Sequence, residues 1–155
     1  MSLIEDKYSK AVIGLDESVL QDFNKWYSFV TKMPIEEQIV YTVSLLDWQV
    51  KNGGFHQYFL NSYGIFAFLT LRNLEIIDMV KLRDILEDAI NLVNYEKLDE
   101  EQLKIKIYKK QIHKLSDLDD VLFEQLNKLD EEYYTISDKQ LEESLLKYLK
   151  RETKK

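Results

Sequence analysis

No cysteine occurs in the 155 residues, which excludes thiol catalysis, disulfides and thiolate metal sites and fits a reducing cytoplasm. One proline and four glycines leave few places for a flexible linker, and no repeat or Ser/Gly/Pro-rich segment interrupts the chain. Histidine is scarce as well: His56 and His113 lie 57 positions apart with no carboxylate at a ligand-like spacing, so neither a metal nor a cofactor is expected. A glycine-rich phosphate loop, a serine nucleophile elbow and a zinc motif are all missing, so no catalytic motif is recognisable and a non-enzymatic role is expected. No run approaches the ~20 apolar residues of a membrane span. The opening Met1-Ser-Leu-Ile-Glu-Asp-Lys7 lacks the basic-then-apolar order of a secretory signal. A cytoplasmic protein without membrane contact is the expectation.

What is present describes a soluble domain. Hydrophobic residues make up 45% and charged residues 32%, a balance outside the disordered range. A chain of this length buries roughly 68–70% of its unfolded surface around one core. Apolar residues recur at three- and four-residue spacing almost throughout, and alternating runs bounded by turn residues are lacking. The fold class is therefore all-α, a single compact domain over residues 1–155 with about seven to nine helices.

In chain order, Leu3, Ile4, Tyr8, Ala11 and Val12 predict a short helix stopping near Gly14, and Asp16-Glu17-Ser18 opens a second that continues through Phe23, Trp26 and Val30. Pro34, with Glu36 and Glu37 in the first turn, starts a long helix to Val50 whose apolar residues cover more than one face. It should be the most buried element, with Asp47 either paired or at its rim. An apolar helix from Ile65 to Leu71 breaks near Asn73 to Asp78. A helix through Leu82, Ile85, Leu86, Ala89 and Val93 turns Asp84, Glu87 and Asp88 to water. One helix is predicted over 99–115, and the last two pack through Leu118, Leu122, Leu126, Leu129 and Tyr133 and through Leu141, Leu145, Tyr148 and Leu149. Ser137-x-x-Gln140 reads as a capping box, and Lys147, Lys150, Arg151, Lys154 and Lys155 suit the closing dipole.

The stretch Asn52-Gly53-Gly54-Phe55-His56-Gln57-Tyr58-Phe59-Leu60-Asn61-Ser62-Tyr63-Gly64 holds three of the four glycines. Asn52-Gly53 offers the left-handed backbone that closes a helix, Gly54 lets the chain turn again, and Phe55 and Phe59 share one face of a short helix ended by Gly64. Asn52, His56, Gln57, Asn61 and Ser62 either converge into a polar pocket, with His56 as a general base, or cap helix ends and satisfy backbone groups.

The run N-G-G-F-x-Q-Y-F-x-N-S-x-G resembles the signature of a bacterial family named after DNA mimic protein 19. Phe123-Glu-Gln-Leu-Asn-Lys-Leu-Asp130-Glu-Glu-Tyr133-Tyr134, with Leu141 and Tyr148-Leu149 beyond, is similar to that family's tail, for a coverage of about residues 18–151. The resemblance implies an all-helical fold. For the member that named the family it implies an acidic protein occupying the DNA-binding surface of a transcription factor. It brings no catalytic residues.

Charge is distributed unevenly. Over residues 101–114, Lys104, Lys106, Lys109, Lys110 and Lys114 stand against Glu101, a local +4, and such a helix either meets nucleic acid or anionic lipid, or is a solvated face or a partner for nearby acids within the chain. Residues 116–143 hold ten acids against Lys128 and Lys139, a local −8. Asp117, Asp120, Glu124 and Glu131 fall on one side at helical spacing, where carboxylates about 5–6 Å apart at Cβ can imitate phosphates to a basic surface. Asp84 and Asp88 would extend that face if the two helices adjoin.

The expected function is non-enzymatic binding of a basic protein, such as a DNA-binding transcription factor, without direct nucleic-acid contact. A small-molecule or cryptic enzyme site at Asn52, His56, Gln57 and Asn61 is an alternative, and so is an immunity or antitoxin-type inhibitor. Tyr133 and Tyr134, expected exposed, offer a homodimer surface.

Overall fold

The computed structural model describes residues 2–153, and every regular element among them is helical. The elements are α1 (Leu3–Ala11), α2 (Glu17–Leu20), α3 (Phe23–Thr31), α4 (Ile35–Leu60), a 3-10 turn (Tyr63–Phe66), α5 (Ala67–Ile76), α6 (Val80–Val93), α7 (Glu100–Tyr108), α8 (His113–Ser116), α9 (Asp120–Tyr134) and α10 (Asp138–Thr153). Eight of these helices have nine residues or more, which agrees with the all-α expectation. Lys154 and Lys155, assigned above to the basic end of α10, lie outside the described residues.

Helix α4 is the centre. Ile39, Val40, Tyr41, Val43, Leu46 and Val50 are buried on several of its faces, and α1, α5 and α9 pack around it. Helix α6 lies against α5 and α9, α7 against the 3-10 turn, and α10 against α1. The polar groups inside are paired. Asn73 donates to Thr42 Oγ1 at 2.9 Å, and Gln38 donates to the Val30 carbonyl at 3.2 Å. With a buried partner waiting, Asn73 does not break α5, which runs on to Ile76.

The helix starts are set by short acceptors. Ser2 and Glu5 form a reciprocal capping box on α1. Asp22 accepts from Lys25 N, which splits the helix predicted from Asp16 to Val30 into α2 and α3. Asp119 caps α9 through Leu122 N. Gln140 N donates to Ser137 Oγ as the Ser-x-x-Gln pattern predicts.

Several helix ends differ from expectation for one common reason. Asp78, Lys110 and Leu118 adopt positive φ (60°, 57° and 53°) just past α5, α7 and α8. In each case the next amide reaches back over the last turn: Met79 N to Leu74 O, Gln111 N to Lys106 O and Asp119 N to Lys114 O. These are left-handed closures in which another residue stands where glycine is usual. The helix predicted over 99–115 is thereby divided into α7 and α8, and Leu118 leaves the apolar stripe to stand 58% exposed.

Candidate functional site

The corner after α4's long arm is built on Gly54, not Gly53. Gly54 has φ 76° and ψ −178°, a conformation essentially reserved for glycine, whereas Gly53 at φ −153° lies outside the left-handed region. The following turn ends at Leu60, and its left-handed closure is Ser62 at φ 71°. Gly64 instead sits inside the 3-10 turn, where a Cβ would meet the Phe59 ring at 2.4 Å.

Asp130 locks this corner to α9, and nothing in the sequence spacing marked it. Its Oδ1 accepts the Phe55 N–H at 2.8 Å, and a Cβ on Gly54 would come within 2.2 Å of its other oxygen. The carboxylate thus satisfies an orphan donor at a helix start from a distant segment. Burial pushes the Asp130 carboxyl above the usual carboxylate range, against the opposing pull of the Phe55 N–H and His56.

The inward side of α9 is fastened at further points. Tyr133 is buried, with its hydroxyl donating to Asp47 Oδ1 at 2.6 Å, and its ring meets Phe55 edge-on at 5.9 Å. The expectation of an exposed Tyr133 for a homodimer is therefore corrected: the ring closes the joint between α4 and α9. Tyr134 is exposed on its ring and donates to the Val50 carbonyl at 2.9 Å. Asp47 also holds Lys51 at 2.8 Å, and Lys51 pairs in turn with Asp138, so Asp47 is a paired rim residue.

The four proposed pocket residues do not converge. Asn52 and Asn61 are exposed, and with Gln57 they form a surface chain of amides through Gln49: Asn52 Nδ2 to Gln57 at 3.1 Å, Gln57 Nε2 to Gln49 at 2.9 Å, Asn61 Nδ2 to Gln49 at 3.2 Å. That chain stitches the two arms of α4 across the kink. His56 turns away into the core, where its Nε2 lies 3.0 Å from the Leu115 carbonyl, which requires a proton on that nitrogen. Its ring faces Phe123 edge-on at 5.7 Å.

The outer side of α9 differs from these fastened positions. At 100° per residue, Asp120, Glu124 and Glu131 lie within about 40° of one another around the helix and extend over ~16 Å. All three are exposed, as is Asp117 just before the helix, and no ion pair reaches any of the four among the described residues. A DNA strand carries about five phosphates over the same length, so the row is a sparser but comparable line of charge.

The acids of α6 are arranged otherwise. Arg83 clamps Asp84 at 3.0 Å and Glu87 at 3.2 Å and also reaches Glu75 at 3.0 Å. Asp88 makes no ion pair among the described residues and borders a shallow groove with Leu92, Gln125, Lys128 and Glu132. Lys128 stands one turn after Glu124 and about 40° round the helix from it, so Asp88 meets α9 at the lysine beside the acidic row.

The lysine-rich stretch serves the fold. Lys104 is buried, with its ammonium 4.1 Å from the Tyr27 ring centroid and 3.1 Å from Glu101. Lys106 pairs with Glu96 at 3.0 Å, and Lys110 donates to the Leu60 carbonyl. No helix among the described residues is long and apolar enough to cross a membrane.

A search of curated proteins and a search of solved structures gave no match. A family model, that of the DMP19-like proteins, matches residues 31–152. The match runs from the end of α3 into α10, taking in the corner and α9; it begins later than the residue 18 expected from the motifs. The chain belongs to the DMP19-like family.

Proposed function

We propose that this protein is a non-enzymatic binding domain of the bacterial cytoplasm whose α9 face occupies the DNA-binding surface of a basic protein, such as a transcription factor. The observation that carries this reading is the contrast between the two acidic rows. Arg83 pairs with Asp84 and Glu87 on α6, while Asp120, Glu124 and Glu131 on the fastened α9, and Asp117 in the turn before it, are exposed with no ion pair among the described residues. Such a row attracts cationic surfaces and repels duplex DNA. Family membership is consistent with this role without extending it to the chain, because one fold hosts several functions.

Affinity capture from the native lysate tests the reading, with wild type beside Asp120→Lys/Glu124→Lys at low and high salt. Wild type should retain a basic DNA-binding protein that salt releases, and the variant should lose it at unchanged helicity, since each reversal places like charges across the interface. A nuclease or other toxin in the wild-type eluate would move the reading to an immunity-type inhibitor. Equal capture by the variant would refute the role of α9.

A further inference from the structure

The acidic row has an apolar head. Among the large hydrophobic side chains left exposed, three fall within six residues at its N-terminal end: Leu118 at 58%, Val121 at 64% and Phe123 at 47%. By helical rotation Val121 stands on one shoulder of the Asp120–Glu124 line and Phe123 on the other, with Leu118 in the turn before them. Leu118 is also the one apolar residue among the non-glycine positions of positive φ, held there by the α8 closure while its side chain finds no cover. Asp120 and Glu124 run between these two shoulders and Asp117 precedes them, with no ion pair reaching the three among the described residues. Large apolar side chains left exposed on both sides of a charged line mark a surface that docks another protein.

We propose that Leu118, Val121 and Phe123 form the apolar anchor of the α9 face, and that they receive a protein segment presenting aliphatic side chains between lysines or arginines. The inference rests on the reading of α9 given above and specifies what the partner must carry. A second copy of this chain does not fit: it would set Asp117, Asp120 and Glu124 against equivalents of the same sign, on a protein of net charge −7. A partner of charge alone does not fit either, because it would leave the apolar side chains beside the charged line uncovered.

The test uses two fluorescein-labelled synthetic peptides of 16 residues and equal charge, one with leucine and lysine at amphipathic helical spacing, the other with every leucine replaced by serine. Binding is read by anisotropy from 0.05 to 0.5 M salt. At high salt, where attraction between exposed charges is largely screened, wild type should bind the leucine peptide at least tenfold more tightly than the serine peptide. Leu118→Asn/Val121→Ser should bring the two peptides to equal affinity while keeping the salt slope, and circular dichroism should show unchanged helicity. Asp120→Lys/Glu124→Lys should flatten the slope for both. Equal binding of the two peptides by wild type, or an undiminished preference in Leu118→Asn/Val121→Ser, overturns the anchor. A salt slope untouched by charge reversal overturns the reading beneath it, and no binding of either peptide overturns both.

Discussion

Replacing Gly54 by alanine should be among the most damaging single changes available outside the apolar core. At φ 76° and ψ −178° an alanine is strained by about 1–3 kcal/mol. Its Cβ would also fall 2.2 Å from Asp130 Oδ2, a contact that only displacement of the carboxylate can relieve. Displacement removes the acceptor of the buried Phe55 N–H, a loss of about 1–3 kcal/mol. Together these give about 2–6 kcal/mol, a large share of the ~5–15 kcal/mol that holds a domain folded. For a chain of this size, at about 2–4 °C per kcal/mol, the melting temperature should fall by about 4–24 °C. Thermal and urea unfolding followed by circular dichroism would measure it. In a double-mutant cycle with Asp130→Ala the two costs should be less than additive by about 1 kcal/mol or more, because both variants remove the same hydrogen bond. A melting temperature within about 3 °C of wild type, or strict additivity, would refute this description of the corner.

Two further outcomes follow from the same joints. Because burial raises the Asp130 carboxyl, the native state binds more protons than the unfolded chain between the ordinary carboxylate range and the raised native value. Its contribution to stability therefore grows as pH falls from neutral through that window and is lost as pH rises through it. Asp130→Asn keeps an acceptor for Phe55 and lacks the titration, so wild type should gain stability relative to it between pH 7 and pH 4 in urea midpoints; a relative loss would contradict the assignment. Leu118→Asn should raise the melting temperature by about 2–3 °C, since asparagine tolerates the left-handed backbone and little burial is forfeited; a fall would show that Leu118 stabilises the fold.

The helical fold and its centre were legible because both depend on periodicity. The apolar pattern of residues 35–50 called for burial on more than one face, and α4 has it from Gln38 to Val50, with Ile35 and Trp48 left exposed at its edges. The stripe Leu122, Leu126, Leu129 and Tyr133 is likewise buried as its spacing predicts. Boundaries were less legible where glycine was missing: with Lys110 at a left-handed position the usual stop signal is absent and α7 and α8 read as one helix, and Leu118, in the next such turn, read as part of the stripe of α9.

At the site, the acids of α9 could be read from spacing because exposed charges need no partner to be placed. Asp130 could not. Its role is fixed by a neighbour 75 positions away, and by spacing it looked like one more member of an acidic run. The amides at 52–61 show the reverse: a cluster along the chain is opened in space, three residues bonding around Gln49 and His56 reaching Leu115 on the other side.

The central claim is that the α9 face and duplex DNA compete for one surface on the partner. The most direct measurement takes the protein captured by wild type, saturates it with its labelled duplex, and titrates in this chain while anisotropy reports bound DNA. Full displacement of the duplex, with no ternary complex on a sizing column and at least tenfold weaker displacement by Asp120→Lys/Glu124→Lys, is the predicted result. A stable complex holding partner, duplex and this protein together would contradict it.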